Sequence, residues 1–375
     1  MVKGREIYLD CGATTPMGAA ALAQWQAVVQ EAWGNPASLH RWGERAAMAV
    51  ERARLQVATA IGAQPSEIVF TSGGTESDHL ALLGLATGTP RHGVISAVEH
   101  AAIAQTADLL AARGWQIDRV PVDGGGRVGD LAPFLRPDTA FVSLILGQNE
   151  VGTLQPVAAW GKLCRGAGIP FHTDAVQAGG RVPLSVTELN VDLLSLSAHK
   201  VYGPQGVGAL YVRSGTPLQP IGGGGGQEGG VRSGTPPVAL IAAFGAALTV
   251  AVQEMATTSA RLQALRDRFI AQMLTIPGLE LTGHPQERLP HHASFVHPTV
   301  SGRKAVWFLR EQGIAISAGS ACSSGRETPS PVLLAMGYSF QAAHGGIRIT
   351  LGWDTTAADL GETANLLADF YRSAA

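Results

Sequence analysis

Lysine is scarce in this chain: its 375 residues hold four, Lys3, Lys162, Lys200 and Lys304. Charge of either sign is sparse too, with 27 Lys+Arg against 29 Asp+Glu and a formal net charge of -2. Without basic clustering, nothing points to a nucleic-acid or acidic-membrane surface. Cysteine is limited to Cys11, Cys164 and Cys322. An odd set without metal-type spacing argues against a disulfide framework or a zinc site and suits a reducing cytoplasm. The first residues turn at once into the strand-like Ile7-Tyr8-Leu9, so no apolar signal region is expected. The longest apolar stretch, around Pro237 to Val252, is interrupted by Gly245 and too short to span a bilayer. It reads as a buried helix. What is present is apolar mass: 46% of residues are hydrophobic, ample for a large core with a smaller domain beside it.

Between about residues 60 and 215, short β-branched runs alternate with helical patterns. Strands are expected at Glu67 to Thr71, Gly93 to Val98, Gln116 to Val122, Ala140 to Leu146, Pro170 to Thr173, Val191 to Leu196 and Val207 to Val212. Several are apolar throughout, as strands covered on both faces are. Helical patterns lie between them at Glu76 to Leu85, Ala101 to Arg113 and Val157 to Gly166. This βαβ rhythm predicts a mostly parallel seven-stranded sheet. A glycine-rich loop, Gly222 to Gly226, precedes a long helix from Val238 to Met255 that continues from Ser259 to Met273. From about Leu279 a shorter α+β unit follows, with strands at Ala293 to Val296, Ile314 to Ser317 and Gly346 to Leu351. The expected division is a large domain over 16–258 and a small one made of 1–15 and 259–375.

Lys200 stands in Ser197-Ala198-His199-Lys200-Val201-Tyr202-Gly203-Pro204, after the apolar run Val191 to Leu196. A lysine leaving a buried strand can have its amine freed for Schiff-base chemistry; the plain alternative is a solvated strand end. In Thr71-Ser72-Gly73-Gly74-Thr75-Glu76, a strand runs through glycines into a helix start. That arrangement suits a phosphate, or simply a turn capped by Thr75. Asp174, in His172-Thr173-Asp174-Ala175-Val176-Gln177, ends an apolar strand. Its carboxylate suits a protonated pyridine nitrogen, with Gln177 one turn on, or else caps a helix. Ser197 and His199 offer a hydroxyl and an imidazole to a phosphate. His100 follows a strand and could stack on a flat ring or cap the next helix. Asn149 ends another strand. In open α/β sheets, ligands gather at such carboxyl ends. Cys322 sits in the small-residue loop Ala318-Gly319-Ser320-Ala321-Cys322-Ser323-Ser324-Gly325, where a thiol is better placed as a nucleophile than inside a core. Arg348 interrupts the apolar strand Ile347 to Leu351 and suits a substrate carboxylate or a structural salt bridge.

In order and spacing, these segments resemble the NifS/IscS-type cysteine desulfurases, pyridoxal-phosphate enzymes of the class V aminotransferase family. Tyr8-Leu9-Asp10, Ala13 to Pro16, Gly34-Asn35-Pro36, Ser38-Leu39-His40, Glu99-His100, Asn149 to Gly152, Arg232 to Thr235 and Gly319 to Cys322 add to the likeness. It covers nearly the whole chain. The resemblance implies the type I fold of pyridoxal-phosphate transferases, a homodimer, and removal of sulfur from L-cysteine to give L-alanine. It implies that Lys200 forms the internal aldimine and moves protons, Asp174 pairs with the pyridine nitrogen, Gln177 contacts the phenolic oxygen and His100 stacks on the ring. It assigns Gly74, Thr75, Ser197 and His199 to the phosphate, joined by Thr235 of the other subunit, and Asn149 and Arg348 to the substrate carboxylate. Cys322 takes the sulfur as a persulfide and passes it to an acceptor, such as an iron–sulfur scaffold protein. No metal, nucleic acid or membrane enters this scheme.

The chain departs from the pattern in three places. Cys11-Gly12 stands where members carry Asn or a small polar residue followed by Ala or Ser. Glu228-Gly229-Gly230 stands where Glu-Arg-Gly is usual. The sequence stops soon after Arg372, without the longer tail that IscS-type members use near their scaffold. The acceptor therefore stays open among iron–sulfur assembly, nitrogenase cofactor supply, tRNA thiolation and DNA phosphorothioation. A cystine or selenocysteine lyase on the same scaffold, or a non-catalytic sulfur-transfer partner, are the rival readings.

Overall fold

The computed structural model describes residues 6–89, 91–319 and 328–374. Its first strand, β1 (Ile7–Tyr8), precedes seven that form the main sheet: β2 (Ile68–Thr71), β3 (His92–Ser96), β4 (Gln116–Val120), β5 (Thr139–Ser143), β6 (Phe171–Asp174), β7 (Leu193–Ser197) and β8 (Gly208–Val212). The sheet order is β2-β8-β7-β6-β5-β3-β4, and only β8 runs against the rest. The expected mostly parallel sheet is therefore present. Each residue of β2, β3, β5, β6 and β7 is buried, which explains why none of them shows the regular polar–apolar alternation of a half-exposed strand. The edge strand β4 reads Gln-Ile-Asp-Arg-Val and exposes its polar members.

Helices cover both faces. One face carries the helices Ala19–Glu31, Arg41–Ile61, Val157–Ala167 and Val238–Gln253; the other carries Gly74–Leu85 and Ala101–Ala112. The first two lie outside the elements expected from the sequence. Arg41–Ile61 is nonetheless well specified: the His40 ring accepts from Gly43 N–H, Gly62 closes the helix in the left-handed region, and Ala46, Val50, Ala53, Val57 and Ile61 line one buried stripe. That stripe packs on Val238–Gln253, where Gly245 lets the backbones approach; a Cβ there would sit 2.9 Å from Ala53 Cα. Val238–Gln253 and Met255–Met273 meet at a 68° bend. Among the described residues no single helix is long and apolar enough to cross a membrane.

The remaining strands are β9 (Glu280–Leu281), β10 (His292–Val296), β11 (Ile314–Ala315) and β12 (Ile347–Thr350). β12, β10 and β9 form an antiparallel sheet, while β1 pairs in parallel with β11. Leu9, Phe269, Phe295, Leu309, Ile349 and Leu367 build a second core there. The Glu228-Gly229-Gly230 departure has a local rationale. Glu228 forms a two-pronged ion pair with Arg54 at 2.8 and 2.9 Å and accepts Phe70 N–H, while Gly229 and Gly230 adopt positive φ.

Glycine 93 pairs with Phe141 across β3 and β5, and the Phe141 ring fills the volume a Cβ at position 93 would need. Gly93→Ala is expected to destabilise the fold by about 1–3 kcal/mol through overpacking. Adding Phe141→Leu should recover part of the loss in a denaturant titration. Additive losses in the double variant would contradict this contact.

Candidate active site

The site forms where strand ends converge. β2 hands the chain to the helix Gly74–Leu85, whose N-cap is Gly73 with no side-chain cap bond. The capped turn by Thr75 weighed from the sequence is thus not what forms; Thr75 lies inside the first turn. Gly74 is required sterically, since a Cβ there would lie 2.7 Å from Val176 Cγ2. The helix start opens on a cavity of about 480 Å³ bordered by Gly74, Thr75, Ser197 and His199. Donors and a helix N-terminus facing one hollow suit an anion.

That hollow adjoins a cavity of about 660 Å³. Gly74, Thr75, His100, Asn149, Asp174, Gln177, Ser197, His199, Lys200 and Arg348 all line it. Ten positions spread over 275 residues of sequence thus meet in one space. Thr235 does not join them within a single chain; it borders a separate cleft with Trp33 and Gly34. Cys322 lies outside the described residues.

Lys200 ends a short turn after β7 and donates from Nζ to the carbonyls of Gly12 (2.7 Å) and Ala13 (2.8 Å). Gln177 Nε2 donates to the same Gly12 carbonyl at 2.9 Å, and its Oε1 has no partner among the described residues. Asp174 ends β6, is 3% exposed, and accepts Val176 N–H at 2.8 Å. Burial raises its pKa, and the positive groups that oppose this are His100 and Lys200. His100 caps the helix Ala101–Ala112 by accepting Ala102 N–H at 3.2 Å, and its side chain also lines the cavity. Burial, with Lys200 beside it, lowers the His199 pKa to about 4.

Arg348 makes the structural ion pair weighed from the sequence. Its Nη2 meets Asp10 at 2.8 Å and Nη1 donates to the Asn149 carbonyl at 3.0 Å, yet the side chain borders the cavity and Nε has no partner among the described residues. Several cavity groups had no assigned role in the sequence. Asp78, Glu99 and Glu150 are buried carboxyls, and Glu150 accepts a 2.5 Å bond from Ser330. An acidic residue on the buried face of an apolar helix was the available signal for Asp78. Cys11 and Cys164 are buried thiols whose pKa values burial pushes up to about 11 and about 12, which makes both poor nucleophiles.

The aminotransferase class-V family profile matches residues 7–362. The chain belongs to the class-V aminotransferase family. A cysteine desulfurase IscS from Dictyoglomus turgidum is 43% identical over 369 residues, covering 97% of this chain and 94% of that protein. The IscS of Methanosarcina thermophila is 39% identical, covering 96% and 90%. The solved structure of a NifS-like protein superposes with a TM-score of 0.92 at 33% identity, covering 98% of this chain and all of the other. This family member therefore shares its fold and length with desulfurases, not merely a motif.

The His199 shift has a consequence for acid stability. Its folded pKa of about 4 lies below the ordinary 6.5, so between those values the unfolded chain binds more protons. Stability from this group is present above 6.5 and lost as pH falls. Glu99, raised by burial to about 7, acts in the opposite sense as pH rises through that value. In His199→Gln, the decline of the denaturation midpoint on acidification should be shallower than in the parent. Parallel pH curves would refute the assignment.

Proposed function

We infer that this chain is a cysteine desulfurase, removing sulfur from L-cysteine with formation of L-alanine. The observation that carries the reading is the single cavity in which Lys200, Asp174, Gln177, His100 and Arg348 meet, in a chain alike over its full length to desulfurases. The residues fit pyridoxal 5′-phosphate: a sealed Asp174 wants a cationic ring nitrogen, Gln177 Oε1 is unpartnered, and Gly74 leaves room where a Cβ would collide.

When bound, pyridoxal phosphate supplies an electron sink for the substrate's α-carbon. Asp174 would hold the ring nitrogen's proton, Gln177 would face the phenolic oxygen, and His100 would lie beside the ring. Gly74, Thr75, Ser197 and His199 would hold the phosphate. Arg348 and Asn149 would orient the substrate carboxylate. Lys200 would supply the amine that anchors the cofactor and would move protons at the substrate's α-carbon. The Cys322 thiolate attacks the substrate sulfur: an S–S bond forms, the Cβ–S bond breaks, and its electron pair stays with the carbon that becomes alanine's methyl group. The product on the protein is a persulfide on Cys322, passed to an acceptor protein such as an iron–sulfur scaffold.

Residues 16–258 would serve as the cofactor-binding domain, with 1–15 and 259–375 as the small domain bearing Cys322. A homodimer is supported by an apolar surface: Leu39 is 100% exposed, Trp33 66% and Trp42 49%, beside the cleft that holds Thr235. A second copy covering this face would carry its Thr235 toward a neighbouring phosphate site. The buried free thiols Cys11 and Cys164 suit a reducing cytoplasm.

Incubation with L-cysteine should yield alanine and a mass shift on Cys322. Cys322→Ala should keep the cofactor's visible absorption but lose alanine formation by ~10³-fold or more, whereas Lys200→Ala should lose both. Undiminished alanine release in Cys322→Ala would favour a lyase instead. Leu39→Asp with Trp33→Glu should convert a dimer to a monomer in sedimentation; an unchanged sedimentation coefficient would refute the proposed dimer face.

A further inference from the structure

Asp78 lies one turn into the helix Gly74–Leu85 and has no part in the roles above. Its side chain is 1% exposed, yet it borders the same cavity as Asp174, His100 and Lys200. One oxygen of Asp78, one of Asp174 and one ring nitrogen of His100 lie within 4.8 Å of one another. Asp78 Oδ1 has no hydrogen-bond partner among the described residues and stands 3.6 Å from His172 Nε2.

That histidine is already engaged on both sides. Its Nδ1 meets Ser143 Oγ and its Nε2 meets Ser195 Oγ, each at 2.9 Å. Burial pushes its pKa down to about 3, so it brings no positive charge to Asp78. The other titratable groups facing Asp78 are Asp174 on β6, Glu99 and His100 on the turn before Ala101–Ala112, and Lys200 after β7. Glu99 Oε1 is satisfied by Ser96 Oγ at 2.7 Å and Ile145 N–H at 2.9 Å. Asp78 and Asp174 are thus neighbouring carboxyls in a sealed space, where full ionisation of both is unfavourable. Burial raises both their pKa values; the Asp174 charge adds to the rise at Asp78, while His100 and Lys200 oppose it at Asp174.

We propose that Asp78 and Asp174 share one proton in the cofactor-free site, and that they release this proton to solvent when the cofactor's ring nitrogen, protonated already at neutral pH, binds beside Asp174. The inference rests on the pyridoxal-phosphate reading above. A carboxyl O–H bond breaks and its proton passes to water. The pair carries one negative charge before the step and two after it, and the released proton balances the difference. Asp174 makes the ring contact. Asp78 is a positioning residue that keeps the proton at the site.

The test is calorimetric titration of the full-length apoenzyme with pyridoxal phosphate, in two buffers of unlike ionisation enthalpy. Comparison with Asp78→Asn counts protons. In the variant, Asp174 has no second carboxyl with which to share a proton and is ionised beforehand, so binding releases no proton from the pair. The parent should take up about one proton fewer per site than the variant. Lys200 chemistry is common to both and cancels in the difference. Equal counts overturn the proposal. Should the variant fold poorly, the infrared difference spectrum of the parent, bound minus free, should show loss of a protonated-carboxyl band. That loss should persist in Glu99→Gln; its absence from the parent likewise overturns the proposal. No heat and no new visible absorption in the parent would instead remove the cofactor reading itself.

Discussion

A carboxyl group sealed at the end of a parallel strand needs a positive partner, and Asp174 sets that demand here. It is 3% exposed, and its Oδ1 accepts a backbone N–H from the turn that follows β6. Burying a carboxylate among apolar strands is unfavourable unless a cation arrives. The sheet makes the requirement useful by placing Asp174 where the ends of β2, β6 and β7 surround one cavity. Lys200, His100 and the glycine-led start of the helix Gly74–Leu85 occupy the same rim.

The N-terminal segment closes the site from the other direction. The Gly12 carbonyl accepts from both Lys200 Nζ and Gln177 Nε2, and Gly12 N–H donates to Thr350 Oγ1 at 2.7 Å. Asp10 meanwhile holds Arg348. A short stretch following β1 thereby links the main sheet to the antiparallel sheet that carries Arg348. Lys200, Gln177 and Arg348 are oriented by the same few residues. Cys11 is buried within this stretch, and burial pushes its pKa up, which makes it a poor nucleophile.

The sequence made the parallel sheet legible because strands covered on both faces carry apolar residues at consecutive positions, as Val94-Ile95 of β3, Ala140-Phe141-Val142 of β5 and Leu193-Leu194 of β7 do. The helices Ala19–Glu31 and Arg41–Ile61 were less legible. Their buried faces mix alanine with glycine, valine and one isoleucine, and their large exposed apolar residues, including Trp42 and Met48, blur the amphipathic pattern. Lys200, Asp174, His100 and Arg348 could be picked out singly, since each is a polar group at the end of, or inside, an apolar run. Each kept a bland alternative, because position along a strand says nothing about what faces it.

Sequence alone determined the chemistry available: a rare lysine, an aspartate ending an apolar strand, a glycine-opened helix and a cysteine among small residues. Tertiary structure decided the company those groups keep. It brought residues as distant as Gly74 and Arg348 to one cavity, and it showed that Arg348 pairs with Asp10 and His100 caps a helix while both border that cavity. It also added Asp78, Glu99 and Glu150, whose burial and mutual approach arise from long-range packing. The physical reason is the range of the forces involved. Patterning and turn chemistry act within a few residues, whereas desolvation and charge coupling depend on neighbours that only the folded chain assembles.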